Sequence, residues 1–242
     1  MAAPRDHAAL VARGIRLAEE LIDRYPLVPA GTDSSEGRSR ATEVEKTWTA
    51  TLPAWIEIDG DLYDVIVPHD PRHWFDLAIR DRGSDTFYPY NVKAHKSATV
   101  TSAGNMGGFT WSINYLILHE FCKETLEIQT YREDKALSAT LACVEQDSFD
   151  QTPRDYFIID ATHDGSWHRV FAFGCIADRD LVANPTNGFQ VDGAKAKADI
   201  ARTQQEVTDF IMDKWAAYLN KRRAGAVRMD KIMAAREARR AA

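Results

Sequence analysis

The segment Trp74 to Ser97, WFDLAIRDRGSDTFYPYNVKAHKS, constrains this chain more than any other. It reads as two strands joined by a tight polar turn. FDLAIR alternates in its first half, and DRGSD supplies the Gly and Asp that turns favour. FYPYNVKAHK alternates again, with Tyr88, Tyr90 and Val92 on one face and Pro89, Asn91 and Lys93 on the other. An amide and an ammonium two residues apart, beside an apolar layer, are unusual in a strand. If Asp76 points the same way from the neighbouring strand, an Asp, an Asn and a Lys converge at one edge of a sheet. A carboxylate and an amide oxygen suit a hard cation such as Mg²⁺. A lysine beside that cation can orient or activate a water and neutralise charge on a phosphate. The combination suits phosphodiester hydrolysis.

The rest of the chain must supply a core for this edge. With 242 residues, one domain spanning 1–242 is the simplest count. Hydrophobic residues at 45% and charged residues at 27% are ordinary for a soluble globular protein. No apolar run approaches the ~20 residues of a membrane span, and MAAPRDHAAL lacks a signal-peptide core, so a cytoplasmic protein with no membrane partner is expected. Cys122, Cys143 and Cys175 are odd in number and set in apolar sequence, which reads as buried free thiols. The net charge of −6 disfavours a nonspecific nucleic-acid binder but leaves room for one basic cleft.

Taken in order, Ala8 to Tyr25 carries helical spacing, and Pro26 and Pro29 end it. Gly31 to Arg40 reads as a loop, completing an N-terminal helix-and-loop unit over 1–40. A second helix is predicted from Ser39 or Ala41 to about Thr51, with Glu43 and Glu45 near its start. Trp55–Ile58 and Leu62–Val67 form a predicted hairpin around Asp59-Gly60. Glu57 on its first strand is either a further acid for the active edge or a residue of the wet face. The pair His69 and His73 around Asp70-Pro71 lacks the spacing of a zinc site. Phe109 to Lys123 is predicted as one helix, and Leu126 to Leu141 as helical or mixed. DYFIID (155–160) and VFAFGCIA (170–177) read as strands that extend the sheet. Asn184 to Gln190 reads as a loop whose amides can meet adenine edges in a major groove. A helix is predicted over Lys195 to Leu219, followed by a basic tail (220–242) suited to phosphate, to a partner subunit or to solvent.

Asp76, followed fifteen residues later by Asn91-Val92-Lys93, resembles the PD-(D/E)XK nucleases, above all type II restriction endonucleases. Phe75 stands where that family often has Pro, and Asn91 replaces the acid of the (D/E)XK half. Asn105-Met106-Gly107-Gly108 and the 184–190 stretch look like segments that accompany an N-x-K core in some restriction enzymes. The resemblance implies an α/β fold with a mixed central β-sheet flanked by helices. It implies a homodimer that hydrolyses double-stranded DNA with Mg²⁺. Asp76 then binds the metal, and Asn91 adds an amide oxygen or holds a water beside it. Lys93 positions the attacking water. One acid, Glu43 or Glu45 of the early helix or else Glu57, can complete the metal site, although Glu43 and Glu45 read first as a solvated helix face. Lys96, Asn105, Asn184, Asn187 and Gln190 are the expected DNA contacts. A repair or nicking nuclease of the same fold is the alternative within this class. A catalytically silent DNA-binding protein is the alternative outside it.

Overall fold

The structure, a computed structural model, describes residues 2–27, 37–69, 73–95, 100–102, 106–121, 133–146, 148–184, 188–192 and 196–221. Helices α1 (His7–Arg24) and α2 (Gly37–Thr49) lead into strands β1 (Trp55–Ile58), β2 (Asp61–Ile66), β3 (Leu77–Asp81) and β4 (Phe87–His95). Strand β5 (Val100–Ser102) and helices α3 (Met106–Ile113), α4 (Tyr115–Phe121) and α5 (Glu133–Glu145) follow. Then come β6 (Phe157–Thr162), β7 (His168–Ala172), β8 (Leu181–Asn184) and β9 (Gly188–Asp192). A last helix, α6, covers 204–221.

The class is α/β, with a six-stranded mixed sheet ordered β1-β2-β3-β4-β6-β7 and a second sheet ordered β5-β9-β8. Strands β1 to β4 run as an antiparallel meander, as the alternating patterns and the Asp59-Gly60 turn lead one to expect. Strand β6 then lies parallel to β4, from Tyr90 opposite Phe157 to His95 opposite Thr162. A parallel neighbour needs a long crossover, and β5 with α3, α4 and α5 occupies it.

The period of two sorts the central strands between two cores. Leu77, Ile79, Tyr88, Tyr90, Val92, Phe157 and Ile159 join one cluster with Leu10, Leu17 and Leu21 of α1. Ala78, Ile158 and Phe171 join the other, with Phe109, Ile113, Val207, Ile211 and Trp215. Helix α1 sits close because position 14 is glycine: a Cβ there would fall 2.2 Å from the Phe157 ring. Its carbonyl accepts the Tyr90 hydroxyl at 2.8 Å. No helix among the described residues is long and apolar enough to cross a membrane. Cys143 and Cys175 are free, buried thiols, and Cys122 lies outside the described residues.

Several boundaries differ from the sequence expectations. Helix α2 begins at Gly37, inside the stretch expected to be loop. The helix expected over Phe109–Lys123 is two, α3 and α4, broken at Asn114. The Asn114 side-chain oxygen accepts the Leu116 N–H at 2.8 Å, which restarts the chain as a new helix. The run 170–177 is strand only to Ala172 and then turns through a 3₁₀ segment, Phe173–Cys175. The stretch Asn184–Gln190 is not a plain loop, because its ends are strands of the β8–β9 hairpin. The helix expected from Lys195 starts at 204. Residues 196–203 are held extended instead, with Ala177 N–H on Lys197 O (2.7 Å) and Ile200 N–H on Cys175 O (3.1 Å). Thr203 and Glu206 form a capping box: the Thr203 N–H reaches Glu206 Oε2 at 2.7 Å and the Glu206 N–H reaches Thr203 Oγ1 at 3.3 Å.

Candidate active site at the edge of β3 and β4

The meander brings the start of β3 against the second half of β4. The Asp76 N–H donates to Tyr90 O, so Asp76 faces Asn91 across the strand pair. Its carboxylate accepts the Val92 N–H at 2.8 Å and lies 3.8 Å from the Lys93 ammonium. Asp76 and Lys93 are 15% and 29% exposed in their side chains, so the pair is neither sealed nor open to bulk water. Asp76 and Lys93 thus meet, and Asn91 lies opposite Asp76 in the register.

The acid that joins them comes from α2. Glu45 lines an open pocket of about 210 Å³ together with Lys46, Thr49, His69, Phe75 and Asp76. Burial, then the charge of Asp76 and a hydrogen bond to it, lift the Glu45 carboxyl to about 7, against the pull of Lys93 and Lys46. Burial also raises Asp76, while Lys93, the Val92 N–H and the bond from Glu45 draw it partly back. Two carboxyl groups in contact disfavour each other's ionisation, a cost that a bound cation would relieve. Glu43, two residues away and thus ~200° around the helix, is exposed. Glu57 is exposed on β1, with β2 between its strand and β3.

Asn91 is 5% exposed. Its Nδ2 donates to the Tyr156 hydroxyl at 2.7 Å, and that hydroxyl donates to Trp74 O at 2.9 Å. Its Oδ1 is buried and has no hydrogen-bond partner among the described residues. A buried carbonyl oxygen left unpaired is costly. Asn91 lies opposite Asp76 in the strand register, so this oxygen can add to the two carboxyl groups an all-oxygen donor set of the kind hard divalent cations prefer. The residues present therefore fit such an ion: Asp76, Glu45 and the Asn91 oxygen would hold it, with the Lys93 ammonium alongside.

One further pair shares this face. His95, two residues beyond Lys93, donates from its ring to the buried Asp160, with Nε2 and Oδ1 2.7 Å apart. Asp160 is the β6 residue in register with Lys93. Asp160 carries a signal in the sequence itself, because a charged residue within an apolar parallel strand is unusual. Tyr156 falls within the predicted strand DYFIID, and nothing local sets it apart.

Of the expected DNA contacts, Lys96, Asn105 and Asn187 lie outside the described residues. Asn184 ends β8, and Gln190 is half-buried in the middle of β9, opposite Val182 and Ser102. The basic tail is described only to Lys221, whose ammonium donates to Ala183 O of β8 at 2.6 Å. Compared with known proteins, the chain matches no family model, and no match to a curated protein reaches significance.

Proposed function

We propose that the chain is a Mg²⁺-dependent endonuclease that hydrolyses phosphodiester bonds of double-stranded DNA, in the manner of a type II restriction endonuclease. The observation that carries this reading is the Lys93 ammonium 3.8 Å from Asp76, with Glu45 hydrogen-bonded to Asp76 and, opposite Asp76 in register, Asn91 with a buried oxygen that has no partner among the described residues. The order of elements supports it too. An antiparallel meander delivers the acid and the lysine, and a crossover returns a parallel strand beside the lysine strand.

Bound Mg²⁺ would acidify a water and offset charge on the scissile phosphate. Asp76 and Glu45 would anchor it with charge, and Asn91 with a neutral oxygen. Asp76 also holds the Lys93 ammonium in place. Lys93 can then donate a hydrogen bond to the attacking water and stabilise charge that grows on the phosphate oxygens. The arrangement is preorganised, since Asp76 is fixed by the Val92 N–H before any substrate arrives. The small β5-β9-β8 sheet, with Asn184 and Gln190, is the proposed base-reading element. A homodimer matches a palindromic site and lets each subunit cut one strand.

Supercoiled plasmid incubated with the protein and Mg²⁺ tests the proposal. Discrete linear fragments are expected, and none in EDTA. Nicked circles alone would point to a nicking or repair enzyme. Plasmid bound but unchanged at every metal concentration would leave a DNA-binding protein without catalysis. Light scattering on the DNA complex should give two copies of the chain.

A further inference from the structure

We propose that Tyr156 is a positioning residue that turns the Asn91 amide, so that a divalent cation meets its oxygen and not its nitrogen. The inference rests on the cation site proposed above. An amide is two-faced, with a donor NH₂ and an acceptor oxygen of nearly the same shape, and only the oxygen can bind a hard cation. Something must choose the face. The Trp74 carbonyl can only accept, and the Tyr156 hydroxyl spends its single hydrogen on it at 2.9 Å. The Tyr156 oxygen is thereby left as an acceptor, so the group 2.7 Å away on Asn91 must be the NH₂. The Asn91 oxygen is then turned away from Tyr156, where it has no partner among the described residues.

The selector is itself held rigidly. Tyr156 is 2% exposed, and its N–H donates to Asp155 Oδ1 at 2.7 Å. Its carbonyl accepts the Phe173 N–H at 2.8 Å. Helix α3 lies flat on the ring because position 108 is glycine: a Cβ there would fall 2.6 Å from ring carbons. The Trp74 ring lies 6.2 Å away, so the ring that receives the amide and the carbonyl that fixes its proton are neighbours. This gives a reason for an asparagine at position 91. A carboxylate presents oxygen on both faces and needs no selector, whereas an amide needs one.

The test measures Mn²⁺ binding by calorimetry on the DNA-free protein, for the parent, Tyr156→Phe, Asn91→Asp and the double variant. Tyr156→Phe keeps the ring and removes the selector, so Mn²⁺ affinity should fall by about 10- to 100-fold. Asn91→Asp in the Tyr156→Phe background should restore affinity to at least the parental level, because the carboxylate cannot be turned the wrong way. A purely structural role for Tyr156 would leave the double variant as weak as Tyr156→Phe, which overturns the inference. Equal affinity of the parent and Tyr156→Phe would overturn it as well, while leaving the cation site intact. A parent that takes up no Mn²⁺ would overturn both.

Discussion

Two buried polar clusters in this molecule look alike in composition and differ in one respect. His7, Asp155 and Cys175 place their ligand atoms within 4.8 Å of one another, much as a metal site would. Yet every strong group there is already engaged. Asp155 accepts His7 Nε2 at 2.8 Å, the Tyr156 N–H at 2.7 Å and the Gly174 N–H at 2.9 Å. The other His7 nitrogen meets Arg202 O at 3.1 Å, so both ring nitrogens donate and neither offers a lone pair. Burial pushes the Cys175 thiol up to about 12, far from the thiolate that binds metal. At the β3–β4 edge, by contrast, a second carboxyl group raises Glu45 to about 7, and an amide oxygen has no partner among the described residues. Saturation marks the first cluster as a staple between α1 and the 174–202 region. Incompleteness marks the second as a site.

The two clusters should therefore respond oppositely to substitution. Lys93→Ala should lower DNA cleavage by about 10²–10³-fold or more, with the fold and DNA affinity retained. Gel-based cutting and a binding assay in Ca²⁺ check it, and full cutting by the variant would remove Lys93 from the reaction. Asp155→Ala should instead cost about 3–5 kcal/mol of stability, because it strands a buried imidazolium. Urea unfolding measures that loss. Mn²⁺ affinity of the folded fraction should not change, and a loss of metal binding there would merge the two clusters into one.

The sequence shows the second cluster better than the first, for physical reasons. Asn91 and Lys93 share a face by strand alternation alone, and a short turn brings Asp76 opposite them, so three members follow from local geometry. Glu45 depends on how α2 is rotated against β4, which its own sequence leaves open. Tyr156 lies 65 positions from Asn91, and no periodicity joins them. The His7–Asp155 pair spans 148 positions and is invisible for the same reason. Apolar spacing alone predicts a start for α6 at Lys195, whereas Thr203-Gln-Gln-Glu206 carries a capping-box pattern at its true start. The Ala- and Lys-rich run before it reads as helix only until its backbone is claimed by residues 175–177. Within the 184–190 stretch, Asn184 and Gly188–Gln190 belong to strands too short to register as strands by themselves.

Within the site, charge should tune metal demand. Glu45→Gln removes an anionic donor and should raise the Mg²⁺ concentration needed for half-maximal cleavage by roughly tenfold or more. Asn91→Asp adds one and should shift it lower. Asn91→Ala should lose activity that extra metal restores only in part. A Mg²⁺ titration of cleavage rate for the three variants checks these directions. An unchanged titration for Glu45→Gln would mean that the acid touching Asp76 takes no part in holding the ion.

The smallest expected effect separates the clusters by pH. Burial lowers the pKa of His7, but the hydrogen bond and charge of Asp155 with the Arg202 carbonyl outweigh it, so the folded value lies above the ordinary 6.5. A raised folded pKa means that the native state holds the proton more tightly than the unfolded chain does. The staple's contribution is then complete below pH 6.5 and is lost as pH rises through the folded pKa. Glu45 has the same sign in a lower window: in metal-free protein its share is complete below about 4.5 and is lost by about 7. Urea midpoints of metal-free protein should therefore fall in two stages. Glu45→Gln should remove the acidic stage and leave the alkaline one. His7→Gln should remove the alkaline one and leave cleavage near neutral pH unchanged. An alkaline stage that persists in His7→Gln would show that the imidazole is buried neutral, and the staple would then be a hydrogen bond without a charge.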